Sequence, residues 1–369
     1  MKRSLLVTHS SRWNGETEYA AGLVKAEVRM GMNVTVVAPR ESTFAGEVAG
    51  SVHLLELPGK APSRSPVDFL KDLVWLSHLI GTGDFDILHS SRATAHFLTA
   101  CAARKRVPLL HLRGGAKKPY GHPGNRFLYR RLTDGVIVSS SRVEGWVREH
   151  LHVPRERVHR ILSPVDVEQF QPAPPDPALF QELGIPVTSP LIVKVARLAP
   201  VKGHDRLLEA MASVHRRFPR VVLVLVGNPW EGQPGLLKRQ AEELGIGGVV
   251  VFAGRRKDIP RFLASAAVCV SSSIGSEENS RAVGEYMASA RPVVATAVGV
   301  IPELVADGET GLLVLPRDPG ALAEAIASVL ADPERARRMG EAGRRRAVSE
   351  FSEEIFDRRL RAVIDSVIN

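Results

Sequence analysis

The chain has 369 residues, 44% apolar and 24% charged, with a net charge of +9, which is enough for two domains with real cores and the composition of an ordinary globular protein. No apolar run approaches the ~20 residues of a membrane-spanning helix, and aromatics at 5% with no recognisable binding module argue against nucleic acid. The two cysteines, Cys101 and Cys269, both sit in apolar contexts and read as core thiols in a reducing cytoplasm, not as a disulfide.

The opening MKRSLLVTHSS has a basic pair and only a short apolar run, so it reads as a first strand over residues 3–9 and not as a signal peptide. The loop SSRWNGETEY follows, then a helix over 17–30 and a strand over 33–38. This order resembles a dinucleotide-binding unit, but GxGxxG is absent and Gly15 is the one glycine of the loop. Gly15 either lets the backbone approach a ligand or forms a tight turn. Further strands are expected at 52–57, 86–89, 107–112, 136–139 and 158–162, with a loop at 59–66 and helices at 67–80, 93–103 and from about 141. Repeated strand–helix alternation predicts a parallel, doubly wound sheet.

Residues 163–186 hold six prolines, a density that breaks regular structure, and the domain boundary is placed near residue 186. The pattern then restarts. Strands are expected at 191–196, 221–226, 249–252, 266–270, 292–295 and 310–314. Helices are expected at 205–218, 236–244, 258–265, 279–290 and 319–330, with two or three more in the tail. The fold class is α/β, with two Rossmann-like domains.

Charge is uneven. Residues 100–133 contain nine basic side chains and no acidic one. Such a patch suits an anionic lipid surface or an anionic acceptor, and equally a solvated basic face.

The stretch SSSIGSEENSRAVGEYMASARPVVAT, residues 271–296, reads as strand end, acidic loop, helix and strand. In open α/β sheets ligands bind at the carboxyl ends of strands, near helix N-termini. Glu277 and Glu285 are eight positions apart; at helical spacing both border one site roughly 12 Å long. Two carboxylates accept from diols such as those of a sugar and a ribose, although loop solvation and a helix surface also explain them. Arg197 and Lys202 flank the strand-to-helix loop of AxRLAPVKGHDRLLEA. Read as a site, they bind an anion and stabilise a departing diphosphate, in place of a metal where no DxD-type loop exists; read plainly, they are surface charges at a helix start.

Three blocks bring out a resemblance. VARLAPVKGHDRLLEAM is similar to a G-R-x-x-x-x-K-G block, GSEENSRAVGEYMASARPVVAT fits E-x7-E followed by PVVAT, and VGVIPELVADGETGLLV is similar to G-G-x-x-E-x-x-x-x-G-x-x-G-x-L-V. In this order and spacing they resemble retaining glycosyltransferases of family 4, or group 1, which have the GT-B fold: two Rossmann-like domains whose parallel sheets face an interdomain cleft. The first half follows the family's layout more loosely.

The resemblance implies an acceptor-side domain over 1–185, a donor-binding domain over 186–350 and a terminal helix, 351–369, packed back on the first. It implies Arg197 and Lys202 on the donor diphosphate, Glu277 on the transferred sugar and Glu285 on the ribose. The backbone of Asn279, Ser280 and Arg281 would face sugar and phosphates, and Gly15 the donor phosphate or acceptor. No metal and no cofactor are implied, and no catalytic histidine is assigned; His9, His89 and His111 read as packing or acceptor-side residues.

The implied activity is retaining transfer from a nucleotide-diphosphate sugar to a glycan or lipid-linked acceptor, in cell-surface polysaccharide or lipopolysaccharide synthesis. The place is the cytoplasm, with peripheral contact to an anionic membrane. The alternatives are a nucleotide-sugar epimerase of the same fold and a non-catalytic nucleotide or glycan binding module. Departures from the family pattern are Asn14 before Gly15, Val300 where a second glycine is common, and the polar insert 278–284 with Arg281.

Overall fold

The computed structural model describes residues 1–10, 14–39, 41–59, 65–275 and 277–368. Parts of the loops expected at 10–19 and 59–66, and Ser276 of the stretch 271–296, lie outside the described residues. The chain forms two compact units. The first is Met1–Pro164 with the terminal helix Glu353–Ile368, and the second is Val165–Ser352.

The first unit holds a seven-stranded parallel sheet. Its strands are β1 (Arg3–Thr8), β2 (Asn33–Val37), β3 (His53–Leu55), β4 (Ile87–Ser91), β5 (Leu109–Arg113), β6 (Gly135–Val138) and β7 (Val158–Arg160), in the order β3-β2-β1-β4-β5-β6-β7. Successive side chains of a strand point to opposite faces. Leu5 and Val7 therefore join a core under the helices Pro66–Thr82, Ala93–Ala103 and Ser141–Leu151. Leu6 joins the other core, under Gly15–Arg29, Thr43–Val48 and Glu353–Ile368. Covering both faces is why these strands read as continuous apolar runs. Tyr19 meets the ring of Phe356 edge-on at 6.0 Å and donates its hydroxyl to Ile161 O at 2.7 Å. Arg29 forks onto Asp357 at 2.7 and 2.8 Å. These contacts hold the terminal helix to the first unit.

The second unit repeats the design with six parallel strands. They are β8 (Leu191–Val195), β9 (Val222–Val226), β10 (Val250–Gly254), β11 (Ala266–Ser271), β12 (Val293–Thr296) and β13 (Gly311–Val314), ordered β10-β9-β8-β11-β12-β13. In both sheets the winding reverses beside the first strand, between β1 and β4 and between β8 and β11. That switch point is where open α/β sheets offer a ligand site.

The units divide at Pro164/Val165, ahead of the boundary expected near 186. Proline density marks an irregular segment but not the side on which it packs. Here Val165 N donates to Phe351 O at 3.0 Å, Arg344 to Val167 O at 2.7 Å, and Arg261 to Asp176 at 2.6 Å. Pro177 even starts a short helix, Pro177–Glu182, capped by Asp176, since proline suits a first helical turn. The helix Thr43–Val48, capped by Ser42, was not expected from sequence. The expected strand 52–57 is three residues long, and the expected helix 279–290 is Arg281–Ala288. Both cysteines are free thiols; Cys269 is buried, which pushes its thiol up to about 12, whereas Cys101 is only half-buried. Among the described residues no helix is long and apolar enough to cross a membrane.

Candidate active site

The loops leaving β8 and β11 meet at the switch point of the second sheet. Backbone geometry fixes the meeting. Gly203 has φ +61°, and a Cβ there would lie 2.1 Å from Ser272 O, so only glycine lets the two loops approach this closely. Ile274 N donates to Val201 O at 2.9 Å. Gly299, φ +58°, is pressed against Glu277 O in the same way, and Val300 N donates to that carbonyl at 2.7 Å. Thr296 Oγ1 donates to Ser273 O at 2.6 Å.

This framework brings together residues 75 positions apart. Lys202 Nζ lies 2.5 Å from Glu277 Oε1, and Ser273 Oγ donates to the same oxygen at 2.5 Å. The pair is largely buried, at 18% and 7% side-chain exposure. Arg197 is exposed and stacks its guanidinium 5.3 Å from the centroid of Trp230. Among the described residues no carboxylate lies within ion-pair distance of Arg197, so its donors are not committed to an acid. A fork and a point charge on one strand-to-helix loop suit a diphosphate, and the buried carboxylate beside Lys202 suits hydroxyl donors.

Glu285 is buried on the helix Arg281–Ala288, where Arg281 Nε lies 2.7 Å from its Oε1 across one turn. Ser280 caps that helix with φ 25°. The helix-projection estimate relating Glu277 to Glu285 does not apply, because Glu277 to Ser280 are not helical. What fixes Glu277 is its backbone bond to Val300 and its pairing to Lys202. The helix itself is seated by Tyr286, whose hydroxyl accepts from Val195 N at 2.7 Å at the end of β8. Asn279 and Ser280 lie directly before this helix, and their backbone amides, with that of Arg281, belong to its N-terminal turn.

At the switch point of the first sheet, Gly15 is the first residue of the helix Gly15–Arg29 rather than part of a tight turn. Asn14 is its cap: Oδ1 accepts from Glu16 N at 3.0 Å and Thr17 N at 3.1 Å. The departure from paired glycines thus supplies a helix cap. Glu16 faces Arg92 at 3.4 Å, and burial raises its carboxyl above the usual range against the pull of Arg92 and Arg113. Arg92 holds φ 80°, a conformation costly for any residue with a Cβ, and donates to Ser10 Oγ at 3.0 Å.

The histidines are packing groups or lie beside the strand ends. His89 Nε2 lies 2.7 Å from Glu27 Oε1, both fully buried. His111 stacks on His96 at 3.8 Å, and burial with His96 and Arg113 nearby holds it well below the usual imidazole range. His9 bonds Thr94 Oγ1 at 2.9 Å. The basic stretch 100–133 is partly consumed locally. Arg113 donates to Lys117 O at 2.7 Å and Tyr129 Oη at 3.3 Å, Arg126 donates to His150 O at 3.1 Å, and Lys105 pairs with Asp134.

Sequence reasoning missed Lys194, Ser272, Ser273 and Tyr286. Lys194 had a legible signal, a charge inside the apolar strand LIVKV. The other three are ordinary residues whose importance comes only from position.

Comparison with known proteins agrees with this architecture. The profile described as "Glycosyl transferases group 1" matches residues 175–346, and that described as "Glycosyltransferase Family 4" matches residues 13–169. A GDP-mannose-dependent alpha-(1-6)-phosphatidylinositol monomannoside mannosyltransferase of Mycolicibacterium smegmatis is 34% identical over 94% of this chain and 86% of its own length. An alpha-maltose-1-phosphate synthase of the same organism is 38% identical, but over 59% of each chain. Among solved structures, a glycosyltransferase from Rickettsia africae superposes with TM-score 0.87 at 20% identity over 100% of this chain and 99% of its own. Anabaena HepE, in complex with UDP, superposes with TM-score 0.83 at 22% identity over 99% and 100%. The two parallel sheets with their switch-point loops are thus a GT-B fold, and the chain belongs to the group 1 glycosyltransferases of family 4.

Proposed function

We propose that the protein moves a sugar, with retention of anomeric configuration and without a metal, from a nucleotide-diphosphate donor to a glycan or lipid-linked acceptor. The observation that carries this reading is the Lys202–Glu277 pair at the β8/β11 switch point, with the uncommitted guanidinium of Arg197 on the same loop.

In this reading the second unit binds the donor. Its diphosphate takes Arg197 and draws Lys202 from Glu277, which frees that carboxylate for hydroxyls of the transferred sugar. Glu285 serves the ribose, and the amides of Asn279, Ser280 and Arg281 face sugar and phosphate. Charge developing on the leaving diphosphate is stabilised by groups already in place, which is where transition-state stabilisation is most effective. The acceptor is taken by the first unit, near Gly15, Glu16 and Arg92. Departing phosphate oxygen accepts the acceptor proton, so no histidine acts as base. Family membership favours transfer over the epimerase and the non-catalytic readings.

The acceptor belongs to a cell-surface glycan or glycolipid, polysaccharide or lipopolysaccharide included, made at the cytoplasmic face. The phosphatidylinositol-mannoside acceptor in the relative's name supports a lipid-linked one. Val67, Leu70 and Val74 form an exposed apolar stripe on the helix Pro66–Thr82, and Phe97 is exposed as well. Together with the basic stretch 100–133 they suit peripheral contact with anionic lipid. Equal binding to neutral and anionic vesicles, with acceptor use unchanged after charge removal at Lys117 and Lys118, overturns the membrane contact.

The donor reading is tested by thermal shift with a panel of nucleotide sugars. Ligand at ~100 Kd adds about 2.7 kcal/mol of stability. Arg197→Ala is expected to lose the response to every diphosphate donor, and an unchanged response refutes the assignment. NMR of the product's anomeric centre decides retention.

A further inference from the structure

Lys194 is a buried charge that the transfer scheme leaves unused. It is 1% exposed, on a strand otherwise made of Leu, Ile and Val. Its Nζ donates to Lys202 O at 2.6 Å and to Ser272 Oγ at 2.6 Å. Ser272 Oγ in turn donates to Gly203 O at 2.7 Å. One ammonium therefore ties the turn that carries Lys202 to the loop leaving β11. An apolar side chain would sit in this strand at no desolvation cost, whereas a buried ammonium is heavily penalised unless it is compensated.

The compensation is incomplete. Lys202 on the turn repels Lys194, while Glu277 on the β11 loop and Asp205 on the helix His204–Arg217 attract it. Glu277 is already engaged by Lys202 at 2.5 Å. His204, at the start of the same helix, is buried, and its ring nitrogens have no hydrogen-bond partner among the described residues. Burial, then Lys194 and Lys202, depress His204 to about 2, so it stays neutral and adds no charge.

We propose that Lys194 is a positioning residue of the donor site, which holds the Lys202–Gly203 turn against the β11 loop and takes a proton from solvent when the donor's diphosphate arrives. The inference rests on the donor reading of Arg197 and Lys202. Burial, reinforced by Lys202, brings Lys194 down to about 7, within reach of such a change. A diphosphate diester adds two negative charges beside the turn, and an approaching anion favours the ammonium form. No covalent bond changes; one proton moves from buffer to Nζ.

The test is titration calorimetry of UDP-glucose, GDP-mannose and ADP-glucose, whose diphosphates do not titrate between pH 6 and 8.5. Each is measured in two non-phosphate buffers that differ in ionisation enthalpy, HEPES and Tris at pH 8, MES and imidazole at pH 6. The wild type is expected to take up roughly 0.5–0.9 proton per donor bound at pH 8 and almost none at pH 6. Lys194→Met should bind about tenfold more weakly at pH 6.5, with no proton uptake at any pH. Lys194→Arg, always charged, should also show none. Donor binding by the wild type without proton uptake overturns the inference and leaves the donor reading standing, as does uptake that persists in Lys194→Met. Should that variant not fold, Lys194→Arg decides, and uptake that persists there overturns the inference. Failure of the wild type to bind any of the three sugars overturns the donor reading, and this inference with it.

Discussion

The two switch points carry the same pair of charges in opposite order. After the first strand of the first sheet comes the carboxylate, Glu16, and after the neighbouring strand the cation, Arg92. In the second sheet the cation, Lys202, follows the first strand, and the carboxylate, Glu277, follows the neighbour. The exposures differ as well. The Glu16–Arg92 pair is loose, at 3.4 Å with the arginine 35% exposed, whereas the Lys202–Glu277 pair is 2.5 Å long and mostly withdrawn from water. Shared topology brings two loops together. Which loop is basic, and how deeply the pair is buried, sets how strongly each place responds to an approaching anion.

Breaking the two pairs separates them most sharply. Lys202→Met leaves Glu277 buried beside Ser273 without its cation, and chemical denaturation should show a loss of about 3–5 kcal/mol in the second unit. Arg92→Met should cost less, about 1 kcal/mol, because Arg92 is itself partly exposed and Glu16, whose carboxyl burial already raises, can take a proton in place of the cation. Equal losses would remove the distinction. Catalysis comes next. Glu277→Gln keeps the volume and a hydrogen-bonding group but not the charge, and kcat should fall by about 10²-fold with the donor used in excess. Glu16→Gln should leave the donor's thermal response unchanged and alter acceptor KM more than kcat.

Gly203→Ala tests the approach of the loops. A Cβ at this positive φ meets Ser272 O at 2.1 Å, and the expected cost is about 2 kcal/mol or more, seen as a lowered Tm. The last effect is a slope. The unfolded chain keeps the Lys194 proton up to its ordinary 10.5, while the folded chain gives it up near 7. Below pH 7 the residue therefore opposes folding, and that opposition fades as pH rises from 7 to 10.5. Wild type should gain stability relative to Lys194→Met across this window, by at most about 1.4 kcal/mol per pH unit. A flat difference would show that Lys194 does not titrate there.

Most of the fold is readable because a parallel strand covered on both faces must be apolar along its length. LLVT, VVLVLV and VCVS announce β1, β9 and β11 without help from the rest of the chain. Short elements escaped this logic. The helix Thr43–Val48 has too few residues to establish a period, and the segment from Val165 to residue 185 shows its allegiance only through partners such as Phe351 and Arg261.

Local sequence likewise determined where the charged residues lie, because Arg197, Lys202 and Glu277 stand in loops at strand ends and Glu285 on the helix that follows. It did not determine their pairing. Lys202 reaches Glu277 across 75 positions only because β8 and β11 are neighbours in the sheet and Gly203 lets their loops touch. Lys194 illustrates the limit. The letters LIVKV mark an oddity, but its meaning depends on the carbonyl of Lys202 and the hydroxyl of Ser272 closing over the ammonium, and those are brought there by the rest of the chain. Periodicity and residue type act over a few neighbours and are written in the sequence; burial and charge pairing are sums over the folded surroundings, and only the tertiary structure contains them.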